Sequence, residues 1–315
     1  MSDTIKIHTQ WVRSLAHELG FLACGISEAT ELVDEAKYLK QWLDEERHGE
    51  MRYMANHFEK RTDPRKLVEG TRSVISVLYN YYTDEEPQDP ACKISRYAYG
   101  RDYHEIVKKK LWALFHQLEK RIPGLEGRAF VDSAPIMDKA WAQRGGLGWI
   151  GKNTNLINKH HGSYFFIGEL LINVALEYDT PVGDLCGTCT RCIEACPTGA
   201  LTPYQIDGRK CISYQTIERR GELAKENTPD FDQWIFGCDV CQQVCPWNLK
   251  ARAHNEPLFS PHPNLLSMNA AQWRELSVEQ FRELFRKSAV KRTKYEGLLR
   301  NIRYVQSDSG SSQNP

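Results

Sequence analysis

Apolar positions recur at helical spacing over residues 9–20 (TQWVRSLAHELG), and Gly20 closes the run, so the pattern predicts an amphipathic helix. FLACGI (21–26) follows as a short buried strand. Charged helical segments fill residues 34–58 around a break at His48-Gly49. SVISVLYNYY (73–82) is rich in β-branched and aromatic residues, and the polar stretch TDEEPQDP (83–90) bounds it; a strand followed by a solvated loop is expected. Residues 103–121 alternate apolar and basic positions at helical spacing and stop near Pro123. GRAFVDSAP (127–135) predicts a strand running out into a loop. MDKAWAQRGG (137–146) predicts a short helix stopped by two glycines, and SYFFIGELLINVAL (163–176) a pair of buried strands. Beyond a cysteine-rich section the chain returns to helical pattern. SVEQFRELFRKS (277–288) opens with a capping box, Ser277 to Gln280. The expected fold class is α+β: a mixed α/β domain over 1–180, the cysteine-rich domain over 181–250, a short helical region over 251–306, and a disordered tail over 307–315.

Composition narrows the function class only slightly. Of 315 residues 41% are hydrophobic and 26% charged, as in ordinary globular proteins. Lys+Arg and Asp+Glu are equal at 41 each, so any nucleic-acid surface has to be local. No run of 18 apolar residues occurs, and MSDTIKIHTQWVRS lacks the apolar core of an export signal; a cytoplasmic protein without a membrane span is expected. Ten cysteines are many, but eight fall between Cys186 and Cys245. Cys24 and Cys92 stand alone and read as structural thiols. That distribution disfavours a secreted disulfide framework.

The eight cysteines carry the strongest signal. Cys186-x-x-Cys189-x-x-Cys192-x-x-x-Cys196-Pro197 is the bacterial ferredoxin run, whose fourth cysteine ligates the other cluster in two-cluster proteins. Cys238-x-x-Cys241-x-x-x-Cys245-Pro246 repeats it with one cysteine missing, and Cys211 is the nearby candidate to complete it. The exchange rule assigns Cys186, Cys189, Cys192 and Cys245 to one [4Fe–4S] cluster. It assigns Cys196, Cys211, Cys238 and Cys241 to the other. Two zinc sites would need only two C-x-x-C pairs and leave this spacing unexplained. Two clusters form an electron wire, and the large N-terminal domain is the place for its terminus.

Three further segments surround this motif: Ser95-Arg96-Tyr97-Ala98-Tyr99-Gly100-Arg101-Asp102-Tyr103-His104, Val131-Asp132-Ser133-Ala134-Pro135 with Asp138-Lys139-Ala140-Trp141-Ala142, and Gly145 to Asn153. Together with the ferredoxin run they resemble the epoxyqueuosine reductases, from about residue 10 to about residue 303. The resemblance implies a cobalamin without an axial protein ligand, lying between the N-terminal and cluster domains, and an overall plan similar to the reductive dehalogenases. It implies reduction of an epoxide on a modified tRNA wobble base to an alkene, with loss of water. It also implies that Asp132 is the proton donor, for which its pKa should be raised by burial. The residues alone also allow Asp132 to be a helix N-cap.

The remaining site expectations follow from the same resemblance. Lys152, Asn153 and Asn155 would offer donors to the corrin. Ser213, Gln215 and Arg220 would pass beside it, as would Asp239 and Val240 from a cluster loop; His57 and Tyr97 would line the pocket. Tyr103 and His104 would line the pocket or stack on the base. For tRNA, the local signal is the basic stripe Arg286, Lys287, Lys291, Arg292, Lys294, Arg300 and Arg303 against Glu296, with Arg219 and Arg220 beside it. Some relatives extend further with helical repeats that touch tRNA, so a smaller tRNA footprint is expected here. An unidentified low-potential donor would feed the clusters. Two other functions fit parts of the pattern: another corrinoid iron–sulfur reductase of the dehalogenase kind, or a two-cluster electron carrier that would leave the N-terminal domain without a purpose.

Overall fold

The computed structural model describes residues 2–89, 91–223 and 228–307, so nearly all of the expected tail lies outside the described residues. A four-stranded antiparallel sheet organises the N-terminal half. Its order is Ala23–Glu28, Ser73–Asn80, Phe165–Ile172, Gly127–Phe130. The helices Ser2–Glu18 and Tyr103–Glu119 cover one face, and their apolar stripes (Val12, Leu15; Val107, Leu111, Leu114) close the main core over Ile75, Val77 and Leu170. The short helix Asp138–Arg144 covers the other face with Trp141 against Val74 and Leu171. Gly25 lets that helix end approach: a Cβ there would sit 2.1 Å from the Gly145 carbonyl oxygen.

The helix expected over 9–20 begins earlier, at Ser2, and Gly20 ends it at a φ of 84°. The pair of strands expected over 163–176 is instead one eight-residue strand, Phe165–Ile172. With helices on both faces it is apolar on both sides, so no alternation marked its length. The capping box at Ser277 is present, with both reciprocal hydrogen bonds formed.

A second core joins segments far apart in the chain. Ile94 and Tyr99, Ile212 and Phe231, the strand Trp234–Phe236, and Phe281, Phe285, Leu298 and Ile302 of the C-terminal helices all bury together. The cysteine-rich section and the C-terminal helical region therefore share one core. Among the described residues, no helix is long and apolar enough to cross a membrane.

Candidate active site and cluster cavities

Cys186, Cys189, Cys192 and Cys245 line one small cavity, and Cys196, Cys211, Cys238 and Cys241 line another of about 260 Å³. The division is the one the exchange rule expects. Backbone N–H groups of Ser213 and Tyr214 point to the Cys211 sulfur, and that of Val240 to Cys238. Trp149 Nε1 donates to Cys186 Sγ at 3.4 Å. Such donors are what a cluster's sulfur ligands require. Burial pushes the Cys238 and Cys241 thiols up, so positive charge from bound iron is needed to hold them as thiolates. The donor sets fit two iron–sulfur cubanes. Cys24 and Cys92 lie outside both sets, and burial pushes each up to about 12, which makes them unreactive.

A third cavity, of about 990 Å³, holds the acid chemistry. Asp102 caps the helix Tyr103–Glu119 by accepting from the His104 N–H at 3.0 Å. The same carboxylate meets His104 Nδ1 at 2.6 Å, and His104 Nε2 faces Asp132 Oδ2 at 3.7 Å. Tyr103 donates its phenolic hydrogen to Asp132 Oδ2 at 2.6 Å and stacks on Phe166 with centroids 4.1 Å apart. Asp132 itself follows the strand Gly127–Phe130 with a φ of 49°, an uncommon backbone for a residue other than glycine. That turn aims its carboxyl into the cavity, where 59% of the side chain stays accessible although protein surrounds it. The N-cap of the helix Asp138–Arg144 is Met137, so the capping role considered for Asp132 is not the one it fills.

The electrostatics differ from expectation. Burial pushes the Asp132 carboxyl up, but hydrogen bonds from His104 and Tyr103 and the charges of His104 and Arg292 outweigh it and hold it below the usual range. Burial likewise opposes the His104 imidazolium, yet Asp102 and Asp132 together raise it to about 9. At neutral pH the proton of this couple therefore resides on the imidazole. Sequence reasoning missed Asp102 as the orienting partner; the Asp-x-His spacing at a helix start was the available signal.

The structure brings His57, Tyr97, Asp132, Lys291 and Arg292 together around the large cavity. Tyr97, Asn153, Asn155, Ser213 and Val240 line the second cluster cavity, which shares Tyr97 and Lys139 with the large one. Lys152 lies at the first cluster cavity, where its ammonium binds the Gly187 and Cys189 carbonyls. Other expected side chains are committed elsewhere. Asp239 accepts from Ser95 Oγ and from the Arg96 N–H within a buried network. Gln215 donates to the Arg209 carbonyl and accepts from Arg219 at 2.8 Å. Arg220 turns to the carbonyls of Ile217 and Arg292.

The basic stripe is also broken up, because it spans more than one element. Arg286 and Lys287 line a separate cavity, and Lys294 sits exposed at the start of the helix Lys294–Gln306. Arg292 pairs with Glu218 at 2.7 Å. Arg300 caps the carbonyls of Gln215, Arg219 and Gly221.

Two thiol quartets beside a cavity furnished with a carboxylate–imidazole acid define an iron–sulfur oxidoreductase. The family model described as "Epoxyqueuosine reductase QueG, DUF1730" matches residues 61–133, and that of a "4Fe-4S double cluster binding domain" matches residues 185–248. The epoxyqueuosine reductase of Cellulophaga algicola is 53% identical over 304 residues, covering 96% of this chain and 99% of its own. A crystal structure of epoxyqueuosine reductase with an epoxyqueuosine-modified tRNA-Tyr stem loop matches with a TM-score of 0.86 at 26% identity, over 96% of this chain and 81% of that one. The Bacillus subtilis enzyme, solved with its catalytic aspartate loop swung out of the active site, matches with a TM-score of 0.83 at 25% identity, over the same 96% and 81%. The chain belongs to the epoxyqueuosine reductase family.

Proposed function

We propose that this chain reduces the epoxide of epoxyqueuosine at the tRNA wobble position to the alkene of queuosine. The observation that carries the reading is the adjacency of an acid couple, Asp132 with His104, to a cysteine quartet across walls shared through Tyr97 and Lys139. An electron carrier has no use for that couple. The tRNA substrate of the family supports a cytoplasmic location and no membrane partner.

Removing the epoxide oxygen as water takes two electrons and two protons. Cobalamin, when bound, would supply the two-electron reductant beside clusters that each move one electron from a low-potential donor. The cavity fits a large polar group: Arg61 lines it, and its Nε is buried without a partner among the described residues. His57, Tyr97, Asn153, Asn155, Ser213 and Val240 would hold the cofactor, with the backbone near Gln215, Arg220 and Asp239 behind them.

Asp132 is the group aimed at the departing oxygen. His104 holds the proton at neutral pH, Asp102 fixes the imidazole's orientation, and Tyr103 steadies the receiving carboxylate. The couple thus acts as one acid, in which Asp132 passes on a proton that His104 restores. Lys291 and Arg292 at the cavity mouth, with Lys294 beside them, suit the phosphates flanking the base. The test is a single turnover of epoxyqueuosine-modified tRNA by anaerobically prepared protein holding about eight irons and one cobalt, as two cubanes and one corrinoid require. Queuosine is the expected product. Zinc in place of iron, or no queuosine from fully loaded protein, overturns the reading.

A further inference from the structure

Glu169 lies in the middle of the central sheet, between Ser76 and Phe130 in register. It is 0% exposed, and neither carboxyl oxygen has a partner among the described residues. Strand alternation puts it on the face of Leu171, beneath the helix Asp138–Arg144. That helix sets the Asp138 carboxyl against the Glu169 carboxyl within hydrogen-bonding reach. Asp138 Oδ1, Trp141 Nε1 on the same helix and Ser76 Oγ on the neighbouring strand are also buried without partners among the described residues.

An unmet buried polar group destabilises the fold, and an uncompensated buried charge does so more strongly. Among the described residues no cation is hydrogen-bonded to this pair, although the charges of Lys139 and Arg61 act on Asp138. Lys139 donates to the Thr154 carbonyl and Arg61 to the Tyr53 carbonyl. The other titratable groups facing the pair are Asp132 from its loop and Tyr103, which faces Asp138, from the helix Tyr103–Glu119. Two carboxyls so placed are satisfied by a single proton between them, with water reaching the remaining polar atoms. Asp138 is at the same time part of the wall of the large cavity, together with Asp132.

We infer that Glu169 and Asp138 share one proton behind the active site and that Asp138 releases it through cavity water to Asp132 for the second proton of each turnover. This role rests on the proposed reduction. Both C–O bonds to the epoxide oxygen break, two electrons enter from the donor, and oxygen leaves as water with two protons. The Asp132–His104 couple supplies one proton and the Glu169–Asp138 pair the other; solvent refills the pair from the cavity. Burial favours retention of the shared proton: burial and the Asp132 charge push Asp138 up to about 6, although its hydrogen bond with Glu169 lowers it, while burial and the Asp138 charge push Glu169 well above the usual carboxylate range. Glu169 and Asp138 are relay residues, since the reacting atoms lie at Asp132.

The experiment has two arms on anaerobic holoprotein. Infrared spectra should show a protonated-carboxyl C=O band at neutral pH that disappears in Glu169→Gln. This arm needs no turnover, so it stands or falls separately from the substrate assignment. In single turnover on modified tRNA, Glu169→Gln should be slower by about tenfold or more above neutral pH, in line with loss of a proton-transfer group. It should approach the parent rate under mildly acidic conditions, so the alkaline limb of its profile moves to lower pH. Asp138→Asn should be slow at acidic as well as alkaline pH, because the donor to the cavity is gone, while the still-buried Glu169 keeps its band. This variant carries the turnover arm if Glu169→Gln loses its iron, and a parent-like rate in it overturns the inference. Absence of the band in the parent overturns the inference. So does a variant that lacks the band yet keeps the parent rate and pH profile.

Discussion

Replacing Asp132 with Asn tests the proposed acid with little structural disturbance. Asn tolerates the left-handed backbone, here a φ of 49°, as well as Asp does. The side chain is 59% accessible within the cavity, so little burial is altered. An amide oxygen can still accept from Tyr103, and no cap is lost because Met137 holds that position. Stability should therefore change by less than about 1 kcal/mol. The chemistry should change far more. General acid catalysis contributes about 10²–10⁴-fold, which at roughly 1.36 kcal/mol per decade is about 2.7–5.4 kcal/mol of barrier. Single-turnover conversion of modified tRNA by cofactor-replete Asp132→Asn should fall by that factor, with tRNA binding retained. A second readout comes from His104, which two carboxylates raise to about 9 against the opposing effect of burial. With one of these neutral its pKa should drop, as a histidine NMR titration would register. Conversion within a few-fold of the parent, or an unmoved His104 titration, would remove Asp132 from the mechanism.

Further outcomes follow from the same geometry. Cys211→Ser should lose about half of the iron, one cubane of two, while the other keeps its electron paramagnetic signal; full iron would mean that the fourth ligand lies elsewhere. Neutralising Lys291, Arg292 and Lys294 together should lower the salt dependence of tRNA binding by about 0.7–0.9 for each phosphate no longer neutralised. The Glu218 bond at 2.7 Å already occupies Arg292, so the drop should fall short of three phosphates; an unchanged slope would make these residues a solvated face. His104 is raised from 6.5 to about 9, so its stabilising charge is fully present below about 6.5 and is lost as pH rises through about 9. Discounted for the accessibility of its partner Asp132, that contribution is about 1 kcal/mol. The parent's thermal advantage over His104→Gln should shrink to nothing across that window, and a gap constant with pH would show that the imidazole carries no extra charge.

What the sequence determined by itself is the chemistry encoded in short spacings. The cysteine runs mark the cluster thiols, because thiolates separated by two residues reach one cubane through a single turn, while the cysteine after a three-residue gap is free to serve the other cluster. The capping box at Ser277 and the stop at Gly20 are equally local, and both are present. What only the tertiary structure decided are properties made by segments far apart in the chain. From its own neighbours in sequence Asp132 reads first as a helix cap; the surroundings of an acid form only when His104, 28 residues before it, and Arg292 close around it. Its carboxyl then lies below its usual range rather than above, because hydrogen bonds outweigh burial. Asp239, Gln215 and Arg300 sit in promising motifs, yet hydrogen bonds within the fold consume their side chains. Glu169 is inconspicuous in a strand whose pattern reads as two. Helices on both faces erase the alternation that would have marked it, and its meaning arises only when the helix Asp138–Arg144 sets a second carboxyl against it. Local spacing dictates ligands, whereas the protonation of a carboxyl depends on everything folded around it.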